Sequence, residues 1–143
     1  MYDQILFPTD GSGGAAAALD HAIDHAKTYD ATLHVLYVVE ETYPVVEAGP
    51  ADVLGALREE GERILEEARS KALEAGVESI QGTVAGGSPY RQILQYVDEH
   101  DIGLIVMGTH GRRGIDRYLL GSVAEKIVRS AECPVLTVRA DEE

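Results

Sequence analysis

Glycines 108, 111, 114 and 121 share one stretch of chain with Ser122 and with five cations, Arg112, Arg113, Arg117, Lys126 and Arg129. Glycine lets a backbone approach a ligand closely and adopt positive φ. Ser122 with Glu125 three residues on reads as a capping box, which starts a helix where the glycine-rich stretch ends. Unpaired N–H groups and the helix dipole at such a start favour an anion, phosphate above all. Residues 108 to 129 set the five cations against Asp116 and Glu125, a balance of +3 in a chain whose net charge is −13, which leaves −16 elsewhere. Guanidinium groups pair bidentately with phosphate. The predicted ligand of this stretch is therefore a polyphosphate rather than a neutral molecule.

Other chemistry-bearing patterns are weaker. Gly11-Ser12-Gly13-Gly14-Ala15-Ala16 matches the dinucleotide pattern GxGxxA, but Asp10 precedes the first glycine and the ribose acid would have to be Glu40 or Glu41. Ser12-Gly13-Gly14 also starts like the pyrophosphatase loop of ATP-dependent amidating enzymes, where Ala16-Ala17 replace the Asp-Ser that should follow. No GKS or GKT occurs, which excludes a P-loop NTPase. His21 and His25, four apart on a helix, have zinc spacing but no third ligand, and read as solvated helix residues. His34 and His100 read as packing or surface residues. His110, inside GxxG, would touch phosphate, sense pH or contribute backbone alone. Cys133 before Pro134 reads as a buried filler rather than a nucleophile. No Ser/His/Asp arrangement offers an evident nucleophile, so no catalytic residue is assigned.

Five β-rich runs must position these residues: Tyr2 to Pro8, Thr32 to Val39, Val77 to Val84, Ile102 to Met107 and Val135 to Val138. Ile5-Leu6-Phe7 and Leu104-Ile105-Val106-Met107 are continuously apolar, as central strands covered on both faces must be. Four helical stretches alternate with the runs. The first, Ser12 to Thr28, carries a stripe of Ala15, Ala18, Leu19, Ala22, Ile23 and Ala26. The second, Ala51 to Ala75, turns Val53, Leu54, Leu57, Ile64, Leu65, Ala68 and Ala72 inward and Glu59, Glu60, Arg63, Glu66 and Glu67 outward. The third opens at Ser88-Pro89 and buries Ile93, Leu94 and Val97; the fourth opens at Gly121-Ser122. Alternation predicts an α/β fold, a doubly wound five-stranded parallel sheet of order 3-2-1-4-5 with helices on both faces. The switch between strands one and four then aims the loops Pro8 to Gly14 and Gly108 to Ser122 at one crevice. Pro134 to Val138 falls at the sheet edge, where a second copy across a two-fold axis would cover it.

The whole sequence, 143 residues with 45% hydrophobic content, predicts one ordered domain over residues 1 to 143. Acidity disfavours nucleic acid and anionic membranes, and no apolar run reaches the roughly 20 residues of a membrane span. One cysteine and an acidic, β-like start, with no signal-peptide pattern, predict the reducing cytoplasm. The acidic surface suits either a halophilic host or an ordinary acidic protein.

GxxG, nine residues, then G-Ser, fulfilled by Gly108, Gly111, Gly121 and Ser122, resembles the ATP-binding signature of the universal stress protein family. Ile5-Leu6-Phe7-Pro8-Thr9-Asp10, Leu36-Tyr37-Val38-Val39, Leu119-Leu120-Gly121-Ser122-Val123-Ala124 and Cys133-Pro134-Val135-Leu136-Thr137-Val138 are similar to that family in the same order. The resemblance implies a cytoplasmic homodimer that binds ATP or AMP, often with Mg²⁺ or Mn²⁺, and serves as a nucleotide-responsive stress regulator with little or no catalysis. It further implies Pro8, Thr9 and Asp10 at the end of strand one, with Asp10 near the ribose or the metal, and Val38 and Met107 beside the adenine. The backbone of Gly108, Thr109, His110, Gly111, Arg112, Arg113 and Gly114, with the turn Gly121, Ser122, Val123, Ala124, would hold ribose and phosphates. Tyr37 stands where the family often has histidine, a departure expected to be structural. A slow Mg-dependent ATP hydrolase and a nucleotide-free interaction module are the alternatives.

Overall fold

The computed structural model describes residues 1–40, 50–109 and 121–139. Along them run β1 (Gln4–Thr9), α1 (Gly13–Tyr29), β2 (Thr32–Val39), α2 (Pro50–Ala75), β3 (Ile80–Gly86), α3 (Pro89–His100), β4 (Leu104–Gly108), α4 (Ser122–Ser130) and β5 (Val135–Val138). Every strand pair is parallel and the sheet order is β3-β2-β1-β4-β5, the doubly wound arrangement predicted from the alternation.

Two cores cover the sheet. On one face α1 and α2 bury Ile5, Phe7, Leu33, Val35 and Val106, against the alanines of α1 and Ile64 and Leu65 of α2. On the other, Leu6, Leu36, Ile105 and Met107 meet Ile93, Val97 and Ile127 of α3 and α4. Each fully buried large aliphatic contributes about 1.5–3 kcal/mol. The predicted stripe of α1 is buried throughout, and its small residues let that helix lie close to the sheet. On α2, Ile64, Leu65, Ala68 and Ala72 are buried as predicted; the side chains of Val53 and Leu54 lie outside the described residues.

Three strand starts differ from the sequence reading, and two have a clear cause. β3 begins at Ile80 rather than Val77, and β4 at Leu104 rather than Ile102. The Val77 amide donates to the Ala72 carbonyl at 3.0 Å and the Ile102 amide to the Val97 carbonyl at 3.1 Å. Both residues therefore close the preceding helix, and their burial is the apolar contact that accompanies a helix C-terminus rather than a place in the ladder. β1 spans Gln4–Thr9 in place of Tyr2 to Pro8.

Tyr37 has the structural role expected of it. Its ring lies against Gly61 of α2, where a Cβ would stand 2.7 Å from ring carbon Cδ1. Overpacking costs about 1–3 kcal/mol, whereas Gly→Ala within a helix gains about 1 kcal/mol. Gly61→Ala is expected to lower stability to urea in the native chain and to raise it in a Tyr37→Val background, where the ring is gone; a double-mutant cycle reads that reversal.

Candidate functional site

β1 and β4 are parallel neighbours, paired near their starts at Ile5 with Leu104 and Leu6 with Ile105, so their carboxyl ends, Thr9 and Gly108, leave the sheet on the same side. Past β1 the chain turns tightly. The Gly11 amide donates to Thr9 Oγ1 at 3.0 Å, and the Ser12 amide to Asp10 Oδ1 at 2.9 Å. Gly11 takes φ 80°, which glycine permits without strain. Ser12 then caps α1, its Oγ accepting from the Ala15 amide at 3.3 Å. Asp10 and Thr9, both half-buried, are thus held at the crevice by their own loop.

Past β4, Thr109 is a junction. Its amide donates to the Val138 carbonyl at the end of β5 (2.9 Å), and its carbonyl accepts from the Gly121 amide at the mouth of α4 (2.6 Å). The Thr109 residue is buried, 9% exposed. Gly108 has a use that sequence reasoning missed: a Cβ there would stand 2.9 Å from the Gly14 carbonyl oxygen, so the missing side chain lets β4 touch the first turn of α1. The first turns of α1 and α4 consequently flank the crevice between β1 and β4.

The capping box does not form. The N-cap of α4 is Gly121, with φ −65° and ψ 161°, and Ser122 is the first helical residue. No side chain caps this end. Glu125 instead pairs with Arg129 at 2.9 Å along the helix, because an i,i+4 partner is in reach whereas its own amide is already bonded to the Gly121 carbonyl. Two cations counted with the glycine stretch are therefore occupied elsewhere: Arg129 by Glu125, and Lys126 by the Tyr90 ring, 5.2 Å from its centroid. The amides of Ser122, Val123 and Ala124 begin a nine-residue helix without intrahelical acceptors or a capping side chain. By contrast, α1 is closed by Ser12.

Pro8 is buried at the end of β1. Val38 of β2 and Met107 of β4 lie on the α3/α4 face of the sheet, one on each side of β1. Ser122 is exposed, Gly121 and Val123 are half-buried, and Ala124 is buried among the α3 and α4 contacts. The expectations placed on His110, Gly111, Arg112, Arg113 and Gly114 lie outside the described residues.

His25 Nδ1 donates to the His21 carbonyl at 2.8 Å, and among the described residues no group of three His, Cys, Asp or Glu side chains could hold a metal. Cys133, expected as a buried filler, is only half-buried, because it sits ahead of β5 at the margin of the α3/α4 core. That burial pushes its thiol pKa up. His34 proves to be a buried polar hub, donating from Nε2 to Gln4 Oε1 at 2.6 Å and accepting at Nδ1 from the Tyr96 hydroxyl at 2.7 Å. Tyr96, missed in the sequence reading, shares a helix face with Ile93 and Val97, so the same periodicity could have found it. No helix is long and apolar enough to cross a membrane among the described residues.

Comparison with known proteins agrees with this architecture. The model of the universal stress protein family matches residues 1–139. Universal stress protein MJ0531 of Methanocaldococcus jannaschii is 40% identical over 144 residues, covering 97% of this chain and 83% of that protein. The solved structure of universal stress protein UspA from Lactobacillus plantarum superposes with a TM-score of 0.90 at 27% identity, covering 96% of this chain and 98% of that one. A universal stress protein solved in complex with cAMP gives a TM-score of 0.78 at 29% identity, covering 98% and 99%. With the sheet order, the adjacency of β1 and β4 and these relatives in agreement, the chain belongs to the universal stress protein family.

Proposed function

We propose that this chain binds an adenine nucleotide, ATP or AMP, in the crevice between β1 and β4 and acts as a homodimeric, nucleotide-responsive stress regulator with little or no catalysis. The observation that carries the reading is the N-terminus of α4, which opens onto the crevice without a capping side chain. Unpaired amides and the positive end of the helix dipole favour phosphate there. The relative solved with cAMP supports an adenine ligand for the same fold. In this reading Val38 and Met107 border the base, Asp10 faces the ribose or a cation, and the backbone from Gly108 to Gly114 with the Gly121 to Ala124 turn holds the phosphates. Mg²⁺ or Mn²⁺, when bound with the nucleotide, would neutralise phosphate charge and let the Asp10 carboxylate sit beside it. The edge strand β5 would pair with its copy in a second protomer, covering Val135 to Val138.

Arg112 and Arg113 supply the phosphate charge complement. Changing both to Ala is expected to weaken ATP roughly tenfold or more in titration calorimetry, at about 1.5–3 kcal/mol for a charged hydrogen bond, and to leave adenosine affinity within twofold. Equal weakening of both ligands would remove the arginines from the phosphate site, and absence of any nucleotide binding by the native chain would leave an interaction module.

A further inference from the structure

The far edge of the sheet, β3, carries a second feature independent of the nucleotide crevice. Its seven residues, Ile80–Gly86, hold no charged residue and no proline, the two devices that usually keep an edge strand from pairing. Residues 79 and 87 bond to β2, Ser79 through its carbonyl to the Leu33 amide and Gly87 through its amide to the Val39 carbonyl. By the alternation of a parallel ladder, the amides and carbonyls of Ile80, Gly82, Val84 and Gly86 point the other way, off the sheet.

A cleft flanks this edge on each face. On the α2 side, about 390 Å³ is lined by Val35, Leu65, Ile80 and Gly82, with Glu62, Glu66 and Arg69 around it. Gly82 leaves that cleft open, since even an added Cβ would make only ordinary contact with Leu65 at 3.5 Å. On the α3 side, about 180 Å³ lies among Thr83, Ala85, Gln92, Gln95, Tyr96, Glu99 and His100. A strand laid against β3 would send successive side chains to opposite faces, hence alternately into the two clefts. Glu62, Glu66 and Glu99 outnumber Arg69 there, and a chain of net charge −13 disfavours a second acidic copy at the same edge.

We infer that the β3 edge is a docking site for an extended cationic segment of another polypeptide, added as a sixth strand with its alternate side chains in the two flanking clefts. The backbone supplies the hydrogen bonds, the apolar wall of Leu65 and Ile80 takes aliphatic side chains, and Glu66 and Glu99 attract lysine or arginine.

The test is an NMR titration of the full chain with a capped seven-residue peptide of alternating valine and lysine. Amide exchange at Ile80, Gly82, Val84 and Gly86 should slow at least tenfold at saturation, and a matched valine–glutamate peptide should give no such protection. Gly82→Pro removes one outward amide without touching the β2 ladder and should weaken the peptide at least tenfold with the thermal midpoint kept. Should that variant unfold, Glu66→Lys with Glu99→Lys, both exposed, serves the same purpose. Protection at β5 instead of β3, equal binding of the glutamate peptide, or unchanged affinity in a folded variant would overturn the proposal. So would protection without peptide that grows with the protein's own concentration, since the occupant would then be a second copy.

Discussion

Gly121→Val is expected to reduce ATP affinity by a factor of about 100 or more while the chain stays folded. Gly121 sits at φ −65° and ψ 161°, an extended conformation that valine adopts readily, so the substitution brings no backbone strain. Its amide keeps the 2.6 Å bond to the Thr109 carbonyl, since a side-chain change leaves that donor in place. What changes is the space in front of the α4 amides. A branched side chain there meets the phosphates that the helix start is proposed to hold, and loss of several charge-assisted contacts at about 1.5–3 kcal/mol each gives the hundredfold figure. Titration calorimetry with ATP, beside circular dichroism and a thermal midpoint within a few degrees of the native chain, checks both halves. Retained affinity in a folded variant would take the phosphates away from α4.

The framework of this site is legible in the sequence, because it rests on local periodicity and strand geometry. The apolar runs of β1 and β4, the alanine stripe of α1 and the alternation of elements favour one topology, and that topology makes β1 and β4 neighbours, as they are in the sheet. Contacts between elements distant in sequence were less legible. Ser122 and Glu125 have capping-box spacing, but whether Ser122 is the cap depends on where the chain leaves Thr109, and the Thr109–Gly121 bond places the cap one residue earlier. Gly108 looked like a glycine kept for a ligand, yet its close neighbour is the Gly14 carbonyl, a packing need that no spacing within the loop could reveal. Val77 and Ile102 read as strand residues by type, yet each makes the apolar, hydrogen-bonded close of the preceding helix, a contact that local residue type does not distinguish from a strand start. The family resemblance names candidate residues for the crevice; it carries no sign that Lys126 and Arg129 are engaged along α4.

The least legible element was His34, and it carries the largest expected effect on stability. The residue is 2% exposed and its ring lies between two fixed partners, Gln4 on β1 and Tyr96 on α3, with the His100 ring 5.4 Å away. Burial first, and then the charge of His100, lower its pKa from 6.5 to about 4. The neutral ring fits its partners, because Nδ1 accepts from the Tyr96 hydroxyl; a second ring proton would turn that acceptor into a donor. Above pH 6.5 the folded and unfolded chains both hold a neutral histidine, so this group adds no pH dependence. Below it the unfolded chain takes up a proton that the folded chain refuses until about pH 4, and stability falls across that window by about 3 kcal/mol. Carboxylates titrate in the same range, and their protonation also relieves the self-repulsion of a −13 chain, so the native profile alone does not isolate the histidine. The difference between native and His34→Gln does. Urea unfolding should show the variant less stable by about 1–3 kcal/mol at pH 7, where Tyr96 and Gln4 lose a matched partner, and that deficit should shrink or reverse by pH 4. A deficit that stays constant from pH 7 to pH 4 would mean that His34 takes its proton equally in both states and that the buried hub imposes no acid limit on the fold.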